Sequence, residues 1–101
     1  HCAKFVLWPG DSVESAPEIF KQYGEVDIIF FDTTHTYEQT MAEWAAWYPF
    51  LSKRAIVCLD DLFRPGMNEA WAEVPGSKMR LDYLHGAAEN GGGFGVVWGM
   101  K

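Results

Sequence analysis

Basic residues are scarce in this sequence: eight lysines and arginines stand against fourteen aspartates and glutamates, a formal net charge of −6. No basic excess is left to neutralise phosphates, which argues against a nucleic-acid backbone as partner. The same shortage argues against docking on an anionic membrane. Long apolar runs are missing too; none approaches the roughly 20 residues that a spanning helix needs. Cysteine is nearly absent. Cys2 and Cys58 form no spaced pair, so no disulfide is indicated and a reducing, cytoplasmic compartment is expected. Internal repeats and long linkers are lacking, and the one low-complexity patch is Gly91-Gly92-Gly93. A chain of 101 residues has room for one small domain and not for two.

Apolar residues make up 49% and charged residues 22%, the balance of a packed globule and not of a disordered chain. Residues 4–8 read as a short strand stopped by Pro9-Gly10. Ser15-Ala16-Pro17-Glu18 has the form of a capping box, opening a short helix that runs to Gly24. Residues 26–31 are almost continuously apolar, the pattern of a central parallel strand covered on both faces. Thr36 and Gln39 form a second capping-box pattern. After them Tyr37, Met41, Trp44, Tyr48 and Leu51 mark one face of an amphipathic helix, which Pro49 should kink or end. Residues 54–60 are the next buried strand. Pro65-Gly66 then turns the chain into a short helix holding Ala70 and Trp71, and residues 78–84 and 94–100 read as two final strands. This order, β-α-β-α-β-α-β-β, predicts an α/β fold: a mostly parallel sheet with helices on its faces and an antiparallel hairpin at its end.

In such sheets the working residues lie just past the carboxyl ends of the strands. That rule selects Gly10-Asp11-Ser12, Asp32-Thr33-Thr34-His35 and Asp60-Asp61. If successive strands are neighbours, Asp32, Asp60 and Asp61 converge. Packed carboxylates repel, and a divalent cation resolves the conflict. Hard oxygen donors with room for water or substrate suit Mg²⁺, with Ca²⁺ and Mn²⁺ as alternatives. Any one such aspartate also reads simply as a helix cap or turn former; it is the set of three that points to a metal. His35, on the loop before a helix, is placed to take a proton from a hydroxyl held on that metal. The bland alternative is a surface histidine. Asp11 and Ser12 offer a short acid and a hydroxyl beside exposed amides, suited to a nucleoside, although a plain turn explains them equally.

These residues resemble the class I S-adenosylmethionine-dependent methyltransferases, and more narrowly the metal-dependent small-molecule O-methyltransferases. Val26 to Asp32, with His35 and Tyr37, is similar to the family's fourth strand and its exit. Ala55 to Asp61, with Pro65-Gly66, is similar to the fifth strand and the loop after it, and Phe94-Gly95-Val96-Val97-Trp98 to the last strand. The resemblance implies a Rossmann-like methyltransferase fold in part, with residues 1–101 as the carboxyl-terminal portion of one domain. It implies metal ligands at Asp32, Asp60 and Asp61, a general base at His35, and contacts to S-adenosylmethionine from Asp11 and Ser12. The implied acceptor is a small hydroxylated molecule.

Two departures stand out. Leu51-Ser52-Lys53-Arg54 replaces the family's Pro-Gly-Gly before the fifth strand. The glycine-rich turn after the first strand and the ribose-binding acid after the second have no counterpart here, so the isolated chain is expected to be inactive. Two other classes share part of this pattern. In a receiver-like phosphoacceptor domain the acidic pair precedes the acceptor aspartate, whereas Asp60-Asp61 follow Asp32. A non-catalytic module would pair, with itself or a partner, through open sheet edges.

Overall fold

A computed structural model of the chain describes residues 8–32, 36–81 and 93–101; residues 4–7 of the predicted strand at 4–8, residues 82–84 of the predicted strand at 78–84, and His35 lie outside them. Helix α1 (Ala16–Tyr23) leads into β1 (Val26–Phe31), then α2 (Tyr37–Trp47) and a 3-10 turn at Tyr48–Phe50. Strand β2 (Leu51–Asp60), helix α3 (Met67–Glu73) and strands β3 (Ser77–Arg80) and β4 (Phe94–Trp98) complete the order. Among the described residues no helix is long and apolar enough to cross a membrane.

The strands form one sheet in the order β1-β2-β4-β3. Only β1 and β2 run parallel; β2 with β4 and β3 with β4 are antiparallel. The expectation of a mostly parallel sheet is therefore corrected: the sheet is mixed. A parallel pair needs a crossover, and among the described strands α2 provides the one crossover between parallel neighbours. The closing pair is antiparallel as expected, with β4 inserted between β2 and β3.

Local chemistry explains most element ends. Thr36 has extended backbone and its side-chain oxygen accepts from the Gln39 amide at 3.1 Å, so it caps α2. Thr36→Ala is expected to cost about 1 kcal/mol and to lower Tm by about 4–8 °C in a domain of this size, read by thermal circular dichroism. At α1 the expected Ser15 cap is not made: Ser15 is helical and its side chain forms no capping bond. Asp11 does the work earlier, its Oδ1 accepting the amides of Val13 (2.7 Å) and Glu14 (3.2 Å). Pro49 falls in the 3-10 turn and ends α2, as its missing donor requires. Strand β2 then begins at Leu51, earlier than the sequence pattern indicated.

One face of the sheet carries the core. Phe31, Ala55, Val57, Leu59 and Val97 pack with Trp44 of α2, Leu62, Met67 of α3 and Val74. The apolar stripe expected on α2 meets the core at Met41, Trp44, Tyr48 and Leu51, and the buried face also takes in Thr40 and Glu43. The opposite face of the sheet presents Ile28, 67% exposed, and Phe30, 53% exposed, with Ile56, Met79 and Trp98 also exposed. Among the described residues β1 thus lies at one end of the sheet and is covered on one face, where the sequence pattern predicts a central strand covered on both. A contiguous apolar face promotes association. Ile28→Lys is expected to lower light scattering at fixed protein concentration while changing stability by no more than about 0.5 kcal/mol.

Candidate functional site

The register of β1 on β2 pairs Phe31 with Leu59. The next residue on each strand is an aspartate, so Asp32 and Asp60 leave neighbouring parallel strands at the same level. Asp61 follows with a left-handed backbone (φ 56°), the one non-glycine residue in that region among the described residues. Aspartate tolerates this conformation better than most residues, though at some cost, and such positions concentrate at functional sites. The carbonyl of Asp61 accepts the Arg64 amide at 3.1 Å, and the Arg64 Nε lies 3.7 Å from Asp61 Oδ2.

One carboxylate oxygen from each of Asp32, Asp60 and Asp61 lies within 4.8 Å of the others. Among the described residues, no other group of three or more histidine, cysteine or acidic side chains brings its ligand atoms together in this way. Oxygens sharing a cation lie no farther apart than twice the metal–oxygen distance, about 4.1 Å for Mg²⁺ and about 5 Å for Ca²⁺. The all-carboxylate donor set fits a hard divalent ion. The 4.8 Å bound is close to the Ca²⁺ limit, and Mg²⁺ would require the oxygens to draw closer together.

The Gly10-Asp11-Ser12 loop is held from below by α2. The Ser12 hydroxyl donates to Glu43 Oε2 at 2.7 Å, and the Trp47 indole N–H donates to the Ser12 carbonyl at 2.9 Å. Gln39 Nε2 also donates to Glu43 Oε2, at 3.3 Å. Beside this loop lies a cavity of about 300 Å³, lined mainly by apolar side chains of α1 and β1 with Ser12, Glu43 and Trp47 among them. Its volume is at the lower end for a small-molecule site. Sequence reasoning selected Ser12 and missed Glu43, which it left off the apolar stripe. The available signal was the spacing of Gln39, Glu43 and Trp47, four apart on one helix face.

A second hollow, about 430 Å³, lies between the start of α2 and α3, with Tyr37, Glu38, Glu69 and Glu73 in its lining. The Tyr37 hydroxyl donates to Glu73 Oε1 at 2.6 Å. That hydrogen bond, then desolvation and the surrounding acids, pushes the Tyr37 hydroxyl above its ordinary value. Cys58 is half-buried and free, and burial pushes its thiol up.

The structure thus brings Asp32, Asp60 and Asp61 together and sets Asp11 and Ser12 on a separate loop anchored to α2. A family model described as a methyltransferase domain matches residues 3–62, more than half of the chain. No curated protein and no solved structure matches it.

Proposed function

The chain belongs to this family of methyltransferase domains, and on that premise we propose that it serves metal-assisted methyl transfer from S-adenosylmethionine to a hydroxyl of a small molecule. The observation that carries the reading is the convergence of three carboxylates, from two adjacent strand ends, within 4.8 Å of one another. When bound, S-adenosylmethionine supplies an electrophilic methyl group, and a divalent cation supplies Lewis acidity at the acceptor oxygen.

The chain's own residues have divided roles in this reading. Asp32, Asp60 and Asp61 would hold the cation, and their net negative charge would offset it. His35 would accept the proton that the acceptor hydroxyl gives up. Asp11 and Ser12 would orient the cofactor. Much of the rate gain in such a transfer comes from holding oxygen and methyl carbon in line and in contact. Because the chain lacks the glycine-rich turn and ribose-binding acid of the resembled enzymes, it is expected to bind the cofactor weakly, through the Asp11-Ser12 loop alone, and to give no methyl ether by itself. Incubation with Mg²⁺, S-adenosylmethionine and a catechol-type acceptor checks this, and turnover would overturn the expectation of inactivity.

The metal reading is tested by titrating Mn²⁺ into the ¹⁵N-labelled chain. Paramagnetic broadening is expected first at the amides of Asp32, Asp60, Asp61 and Leu62. Broadening spread evenly over all acidic surfaces, including Glu38, Glu69 and Glu73, would overturn it.

A further inference from the structure

Glu43 is an acidic side chain, yet only 1% exposed. Taking a carboxylate out of water is costly, and an apolar side chain of similar size would fill this place on α2 without that penalty. What the acid provides is an acceptor for particular donors. Its Oε2 receives the Ser12 hydroxyl at 2.7 Å and the Gln39 amide nitrogen at 3.3 Å. One turn further along the same helix face, the Trp47 indole donates to the Ser12 carbonyl at 2.9 Å. Ser12 is therefore gripped at both its side chain and its backbone by residues that α2 presents at spacing four. Asp11, one residue earlier, is fixed by its own bonds to the Val13 and Glu14 amides.

We infer that Glu43 is a positioning residue for cofactor binding: through Ser12 it sets the place of the Gly10-Asp11-Ser12 loop against the cavity beside β1. This rests on the reading that Asp11 and Ser12 contact S-adenosylmethionine. The connection also has a consequence for the whole site. Helix α2 starts just after the segment that leaves Asp32, so Glu43 ties the cofactor loop to the same rigid element that follows the carboxylate cluster. A group fixed by packing and by a buried hydrogen bond keeps its geometry better than one on a free loop.

The test is an NMR titration of the full 101-residue chain with S-adenosylmethionine, following the amides of residues 11–13 and the Trp47 indole N–H. Glu43→Leu is expected to weaken binding by about tenfold, the equivalent of one buried hydrogen bond to a charged group. Glu43→Gln keeps an acceptor oxygen and is expected to stay within about twofold of the parent. Ser12→Ala is expected to weaken binding as well, and adding Glu43→Leu to it should bring little further loss, since both remove the same link. If Glu43→Leu does not fold, Trp47→Phe gives an independent check. It removes the second strut while leaving the acid, and about a fivefold weakening is expected. Parent binding that survives unchanged in Glu43→Leu, or in Trp47→Phe where the first variant is unfolded, overturns the inference and leaves the cofactor reading standing. No shift in the parent chain at any concentration overturns both.

Discussion

Replacing Asp60 with asparagine is expected to move the melting temperature in opposite directions in EDTA and in Mg²⁺. In EDTA the variant should melt higher than the parent. Three carboxylates whose oxygens lie within 4.8 Å repel one another, and at that separation a pair costs about 1 kcal/mol in water and more in a partly buried setting. Removing the middle charge deletes two of the three pairwise repulsions. Arg64, 3.7 Å from Asp61, already offsets part of this, and salt screens more. A net gain of about 1 kcal/mol, or about 4–8 °C, is the resulting expectation. In Mg²⁺ the order should reverse. A ligand present at about a hundred times its Kd stabilises the folded state by about 2.7 kcal/mol, and the parent alone keeps the full donor set. Asparagine leaves the side-chain shape nearly unchanged, so the reversal reports charge and coordination instead of packing. Thermal melts at matched ionic strength, with Mg²⁺ or EDTA, decide the matter. A parent chain indifferent to Mg²⁺ at millimolar concentration would remove the metal from the proposed function.

The carboxylate cluster was legible in the sequence because its two causes are local and periodic. Apolar runs that end in aspartate mark strand exits, and a βαβ connection makes successive strands neighbours. The register of Phe31 on Leu59 then follows, with Asp32 beside Asp60. The sheet's character was less legible. Strand direction at the chain end depends on where β4 inserts, and nothing in the pattern of residues 94–98 distinguishes a place beside β2 from one outside β3. The stripe of α2 was legible, its core contacts at Met41, Trp44, Tyr48 and Leu51, but the burial of Glu43 beside it was not. Hydrophobic spacing locates an apolar stripe, but Glu43 is buried by the hydrogen bonds it accepts from Ser12 and Gln39, and one of those partners is distant in sequence. The cap of α1 shows the same limit at short range. Ser15 fits the capping pattern, yet Asp11, bonding to the amides that follow it, is the residue that orders the turn.

Gly95→Ala is expected to be the more damaging of two small changes, although it adds a single methyl group. Gly95 is buried in β4, opposite Leu59 of β2 and Arg80 of β3. A Cβ there would lie 2.5 and 2.6 Å from Cζ3 and Cη2 of Trp71 and 2.9 Å from a methyl of Leu62. Such distances are too short for carbon atoms, so the indole or the strand must shift. The indole is not free to swing: Arg80 and Lys78 lie over it at 5.8 and 5.5 Å from the ring centre. Leu62 is fully buried, and its amide donates to the Gly93 carbonyl at 3.2 Å. Overpacking of this kind costs about 1–3 kcal/mol, which in a domain of this size lowers Tm by up to about 20 °C. The clash is with the outer ring of the indole, so Trp71→Phe, which lacks those atoms, should relieve it. The double variant is expected to be more stable than the sum of the single losses by at least about 1 kcal/mol, a coupling that denaturant melts measure directly. Strict additivity would show that the strand, not Trp71, yields. The effect should also reach the acidic cluster. Leu62 follows Asp61, whose left-handed backbone leaves little freedom to absorb a displacement, so Gly95→Ala is expected to blunt the Mg²⁺-induced rise in Tm, and Trp71→Phe in the same chain to restore it.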